Sequence, residues 1–385
     1  MSRAAAAILL LAALRTAAAA APVIAVDPRI ELLGIVQRLA GREAFPPEDA
    51  EYARLVDERF GRWRGHPAVR LYAEAFAGPF DPLGVVLLYY SDPPELALKN
   101  PSVTVPFAGD ERGGERLLSF IWQLRDFAAR SGFSDFFHEE RPRYTGVEAA
   151  ARAELGSLDP EADFSRYAGF DLQVRRHYAL SLLYSPTQRN SFIIPYPDVA
   201  LLGRHDGSFD VWTLFQYFPG KAARARAGTA AFAVPSTELW QESLFVFVEP
   251  ALYYFESLQP FDPAAFYGPP ASVCRGDGPN CVKGAVVAAL LDRLHAGGPP
   301  HTHVTPDYEG ALRERLVEYE AHRERFATLW DFLPRLLSVY SETALGRPAP
   351  SPLAGAKIPS PRKTSDFFSP GMLSLLPSAH DGGKP

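Results

Sequence analysis

Behind Asp27-Pro28, a capping residue followed by a proline suited to the first helical position, Ile30, Leu33, Val36, Leu39 and Ala40 recur at helical spacing until Gly41. Further helices are predicted over about 47–60, with Tyr52, Leu55, Val56 and Phe60 on one face, and over about 67–76. A long helix is expected from near Gly114, with Leu117, Leu118, Ile121, Trp122 and Leu124 on its buried side and Phe127 closing the stripe. Another is expected near 147–155.

Between Ala179 and Tyr217 the pattern shortens to turn-separated apolar runs at 181–184, 191–194, 198–202 and 210–217, which read as strands. His205-Asp206-Gly207-Ser208 reads as a hairpin turn between two of them. Helical spacing returns at 237–247, 282–295 and 308–340, with Pro250 ending the first and Pro334 kinking or interrupting the last. Helices, then a small antiparallel sheet, then helices predict an α+β, predominantly helical fold. No linker composition interrupts the body, so residues 22–343 are expected to form a single globular domain. Residues 344–385, rich in Pro, Ser and Gly, are expected to be a disordered tail.

The start of the chain follows another logic. Met-Ser-Arg precedes an apolar run from Ala4 to Leu14 and small residues through Ala21, the layout of a secretory signal over residues 1–21 with cleavage near Ala20. That run is too short to span a bilayer, and no other stretch predicts a transmembrane segment. The expected location is therefore periplasmic or extracellular. Such a compartment permits a disulfide between Cys274 and Cys281, the only two cysteines; two free thiols are the alternative. The closed ring would contribute about 2–3 kcal/mol on the chain-entropy account.

A formal net charge of −6 and the lack of a basic, aromatic-interleaved patch exclude nucleic acid as an expected partner. There is no phosphate loop, dinucleotide fingerprint or Gly-x-Ser-x-Gly elbow, so nucleotide chemistry and a serine nucleophile at Ser191 with His177 or Asp198 lack sequence support. His301 and His303, two residues apart after a Gly-Gly-Pro-Pro run, are a candidate metal pair to which Asp307 or Glu309 could add an oxygen; the plainer reading is two surface histidines.

Several segments in order carry a family resemblance: Pro28–Leu33, Arg59–Trp63 with His66–Val69, Leu118–Arg141 including Phe136-Phe137-His138, Tyr319-Glu320, and Phe332–Leu337. Together they resemble the bacterial, mostly exported domain-of-unknown-function family 4932, treated as HExxH zinc metallopeptidases. The resemblance implies a zincin-like fold over most of residues 28–342. The family motif is similar to His-Glu-Phe-x-His-x-Phe-x-Asn-Pro. Its counterpart here is Gln241-Glu242-Ser243-Leu244-Phe245-Val246-Phe247-Val248-Glu249-Pro250.

Glu242, Phe247 and Pro250 match. Gln241 and Phe245 stand where the two histidines belong, and Glu249 replaces the asparagine. In an HExxH helix the i and i+4 imidazoles share one metal, whose bound water is deprotonated by the glutamate. Phenylalanine has no ligand atom and a glutamine amide is a poor imidazole substitute. Glu242 is then vestigial, and no cofactor is expected, zinc being the alternative.

Three functions compete. The first is an inactive relative that binds a peptide, protein or cell-envelope ligand. The second is an active metal-dependent hydrolase using other ligands, and the third a structural envelope protein. The aromatic residues Trp240, Phe245, Phe247, Tyr253, Tyr254 and Phe255 read as core, or as the lining of a cleft.

Overall fold

The computed structural model describes residues 21–42, 49–76, 83–99, 111–156, 158–169, 174–184, 191–194, 209–216, 239–241, 243–248, 252, 278–294 and 306–345. Residues 1–20 of the expected signal segment, the 198–202 strand, the 205–208 turn, Glu242, Cys274, His301, His303 and the tail beyond 345 lie outside them. Cys281 falls in a helix, but its side chain is also outside the described set.

Strand β1 (Val23–Val26) leads into helix α1 (Pro28–Ala40). The Asp27 carboxylate accepts the backbone N–H groups of Arg29 and Ile30, and Gly41 closes the helix in the left-handed conformation that it adopts without steric penalty. Apolar Ile30, Leu32, Leu33, Ile35, Val36 and Leu39 are buried, and so are Arg29, Glu31 and Gln37. A helix buried around most of its circumference is a central element. It packs against α2 (Ala50–Phe60), α3 (Pro67–Ala75), α4 (Leu83–Leu88) and the second strand.

Helix α5 (Glu111–Ser131) buries Leu117, Phe120, Ile121, Leu124, Phe127 and Ala128. Leu118 and Trp122, expected on the buried side, are 56% and 65% exposed. The i, i+3, i+4, i+7 row from 117 places each of them one residue, about 100° of helical rotation, off that face. Helices α6 (Phe133–Glu139), α7 (Arg141–Leu155) and α8 (Pro160–Ala168) follow.

The sheet departs most from expectation. Its strands are β1, β2 (Val174–Ser181), β3 (Ser191–Ile194) and β4 (Phe209–Gln216), in the order β1-β2-β4-β3. β1 runs parallel to β2 and β2 parallel to β4; β3 alone is antiparallel, to β4. The expected antiparallel sheet is therefore corrected to a mainly parallel one. Two features hid this. β1 lies far upstream, beside the expected cleavage site, and β2 begins at Val174 rather than near 181, so residues 182–184 form the turn that follows it. Parallel neighbours need long crossovers, supplied between β1 and β2 by helices α1–α8.

β1 has its outer side covered by α7. Glu148 Oε1 accepts the N–H of Val26, while Arg152 donates to the Ile24 carbonyl. Arg141 grips the same Glu148 carboxylate with two donors. These side chains satisfy main-chain groups that would otherwise invite another strand.

The C-terminal part comprises α9 (Gly278–Leu294), α10 (Pro306–Ala321) and α11 (Leu329–Leu345). The predicted break near Pro334 lies instead at 322–328. There Thr328 Oγ1 accepts the N–H of Asp331, and the Asp331 carboxylate accepts the Thr328 N–H and hydroxyl, a reciprocal cap that starts α11. Pro334 sits within α11.

The apolar interior forms two clusters. One gathers α1–α7 with much of the sheet; the other gathers Phe164 and Ala168 of α8, Val211 of β4, Trp240, residues 244–248 and α9–α11. A buried ion pair between Arg176 of β2 and Glu161 of α8 ties them together, with Arg176 also donating to the Tyr178 hydroxyl.

Candidate functional site

Residues 239–241 and 243–248 are helical, and the segment bridges the two clusters, with Leu239 in the first and Trp240 and residues 244–248 in the second. Gln241 is half-buried. Ser243 is buried and donates to the Leu239 carbonyl one turn back. Phe245 is 6% exposed and belongs to the second cluster; Phe247 stacks on Phe164 at 5.6 Å. Beside the segment lies a cavity of about 30 Å³, lined by Phe164, Phe247, Val248, Leu290, Trp330 and Leu333 among other apolar residues. It has room for a few heavy atoms, and its lining side chains offer no ligand for a metal. Nor does any group of three or more His, Cys, Asp or Glu suited to a metal occur among the described residues. Position 245 therefore does not fit the zinc that the resemblance implies.

A polar cluster, not anticipated from the sequence, sits at one face of the sheet. Asp27 takes two donors from the Arg29 guanidinium, one from Nε at 2.9 Å and one from Nη2 at 2.5 Å. Arg29 Nη1 donates to the carbonyls of Leu88 and Tyr90, where α4 ends and leaves acceptors without helical partners. Lys99 Nζ donates to the same Leu88 carbonyl at 3.2 Å. The 89–99 loop is itself pinned: Lys99 N–H donates to Tyr89 O, Ser91 N–H to Ala97 O, and Tyr90 bridges to Leu98. On the neighbouring strands His177 Nε2 is 3.1 Å from Asp210 Oδ1, and the imidazole stacks flat on Trp212 at 4.2 Å. The Arg29 guanidinium lies 5.7 Å from the Trp212 ring centroid. The Trp212 indole N–H is buried and meets no acceptor.

This arrangement acts on Lys99. Partial loss of hydration, together with the nearby positive charge of Arg29, lowers its pKa from the ordinary lysine range to about 8, against opposing pulls from Asp27, Asp92 and Asp210. A period of two along both strands places Arg175 and His177 beside Asp210 and Trp212 on one face. That alternation was the available signal, and it is visible only once β2 is extended back to Val174.

A second buried network surrounds Glu31. Its carboxylate accepts Tyr52 Oη at 2.7 Å, Ser181 Oγ at 2.6 Å and the Leu182 N–H at 2.9 Å, while Tyr52 and Tyr144 hydroxyls meet at 2.6 Å. Burial raises the Glu31 pKa, with the hydrogen bonds opposing, and burial also pushes both tyrosines up. The network joins α1, α2, α7 and the end of β2, and its fully buried position suits it to holding the fold. His66 is likewise structural. Its Nδ1 accepts the Ala68 N–H at the start of α3 and its Nε2 bonds Asp126, whose pKa falls chiefly through that bond.

The register likewise gives no support to a nucleophile formed by Ser191 with His177. Position 191 lies opposite Thr213, and His177 opposite Trp212, so the two positions belong to opposite faces. His177 is paired with Asp210 instead. Asp198, the other partner considered, lies outside the described residues, as do Tyr253, Tyr254 and Phe255.

No family model, curated protein or solved structure matches the chain, so the family resemblance rests on its sequence segments alone. Among the described residues no helix is long and apolar enough to cross a membrane.

Proposed function

We propose that the chain is an exported protein on a zincin-like frame that no longer carries the zinc ligands, and that it binds a peptide or cell-envelope ligand without cleaving it. The observation that carries this reading is the packing of Phe245 into the hydrophobic core, at the position where the second motif histidine belongs. A side chain anchored there by burial has neither a donor atom nor the freedom to make way for one. The apolar cavity beside Phe247 and Val248 supports the binding half of the proposal, because it suits an apolar side chain of a ligand.

The test combines zinc titration of the mature chain, from about residue 22, with mass-spectrometric analysis of a peptide library incubated with the zinc-supplemented protein. The expected results are no stoichiometric zinc at micromolar free metal, no cleaved peptides, and a retained subset of uncleaved ones. Tight zinc together with turnover lost in Glu242→Gln would return the chain to the active peptidases.

A further inference from the structure

Lys99 stands apart from the motif segment, and its surroundings are unusual for a lysine. Among the described residues its ammonium makes one hydrogen bond, to a main-chain carbonyl that a guanidinium also uses. No carboxylate of the described residues lies within ion-pair distance of its ammonium. The nearest in effect, Asp27, is held by both donor branches of Arg29. Asp92, 68% exposed, approaches Arg29 at 3.7 Å rather than Lys99, and Asp210 takes His177. The backbone of Lys99 is fixed by its bond to Tyr89, so the amine cannot swing away from Arg29 without leaving the Leu88 carbonyl. The residue as a whole remains exposed, so small reagents can reach it.

An amine held against a second cation, with no carboxylate of the described residues in ion-pair distance and with solvent on one side, is poised to lose its proton and act as a nucleophile. We propose that Lys99 is a nucleophilic amine that captures small aldehydes and ketones as imines. The nitrogen lone pair forms the C–N bond to the carbonyl carbon. Both hydrogens of the neutral amine then leave with the carbonyl oxygen as one water, giving the C=N bond. No oxidant or reductant is needed for capture. The lowered pKa of about 8 agrees with this geometry, since it leaves a substantial neutral fraction near neutral pH.

The six lysines, Lys99, Lys221, Lys283, Lys357, Lys363 and Lys384, provide an internal comparison. The mature chain is treated with acetaldehyde, and cyanoborohydride supplies hydride to reduce each imine to a stable secondary amine. Peptide mapping then gives the rate at every lysine. At pH 7.5 Lys99 is expected to label about ten-fold faster than Lys221, Lys357, Lys363 and Lys384. Its rate should rise to half-maximum near pH 8. Equal rates, or a half-maximum above about pH 10 as for an ordinary lysine, overturn the proposal. Asp92→Asn gives a second readout at an exposed position. Removing that negative charge should speed labelling of Lys99 at pH 7 by about two-fold and leave the other lysines unchanged. An unchanged Lys99 rate counts against the charge arrangement as the cause.

Discussion

Glu31 shows how one carboxylate can join four elements and respond to pH. It is fully buried, with three donors on its oxygens, yet burial dominates and its folded pKa lies above the ordinary value. A raised folded pKa means that the folded state holds the proton more tightly than the unfolded chain does. The stability contributed by that difference is complete below the unfolded carboxyl pKa, about 4.3, and is lost as pH rises through the folded value. In Glu31→Gln the titration is absent. The amide can still accept on one side and donate to Tyr52, which passes its own proton to Tyr144. Urea midpoints of the two proteins between pH 4 and 8 should show the wild-type advantage shrinking as pH rises. An advantage that grows with pH would mean that the three donors outweigh burial.

At Phe245 the same scale bears on function. Truncating the buried ring in Phe245→Ala should destabilise by about 3–5 kcal/mol, through lost burial and the cavity left behind. Denaturant unfolding measures this. A loss under about 1 kcal/mol would indicate a site that adapts freely, and would weaken the proposal that packing at position 245 shuts out a metal ligand.

Two glycines on helices separate close approach from mere permissiveness. A Cβ at Gly34 of α1 would meet the Tyr184 nitrogen at 2.6 Å and Leu183 Cβ at 2.9 Å, so the helix lies directly on the turn that follows β2. Gly34→Ala should cost about 1–3 kcal/mol, because a helix or a turn must shift. Gly146 in α7 has nothing within 4 Å of the same added atom. There Gly→Ala should stabilise by about 0.5–1 kcal/mol, through reduced unfolded-state freedom and better helix propensity. Thermal unfolding of the two variants in one buffer checks both signs. Equal shifts would show that α1 does not press on the 182–184 turn.

The elements also show what periodicity can and cannot resolve. The start of α1 was legible because Asp27, Pro28 and Gly41 act within a few residues of themselves. The end of α10 was not, since the cap formed by Thr328 and Asp331 sits inside a stretch that reads as continuous helix. On α5 Leu118 and Trp122 carry the hydrophobicity of core residues, and only the partner surfaces decide that the row from Leu117 turns inward. β2 was half-hidden because Arg175, Arg176 and His177 do not look like strand interior; one of them, Arg176, is nonetheless buried.

At the scale of the molecule, two apolar clusters both reach the sheet, and the Arg176–Glu161 pair is a buried polar tie between them. Burial lowers the Arg176 pKa, although its partners Tyr178 and Asp159 favour the charged form. Arg176→Ala would leave Glu161 buried without its partner, at a cost of about 3–5 kcal/mol. Arg176→Met combined with Glu161→Leu removes both charges and fills similar volume, so it should recover most of that loss. A double-mutant cycle by chemical denaturation reads the outcome. A double variant no better than Arg176→Ala would mean that the pair contributes through its charges rather than merely avoiding their isolation.

The sequence by itself determined what local forces set. These are the capped and periodic helices, the acidic balance, and the side-chain chemistry of a segment in which the proposed resemblance sets Gln241 and Phe245 against imidazoles. The tertiary structure alone decided what depends on distant neighbours. β1 found β2 across some 150 residues and made the sheet mainly parallel. Ser191 and His177 fell on opposite faces, and Lys99 came to share a carbonyl with Arg29. Caps and helical faces reflect interactions over three or four residues, which sequence order preserves. Strand pairing, burial and the proton affinity of Glu31 or Lys99 are set by hydration lost to, and charges met on, segments far along the chain.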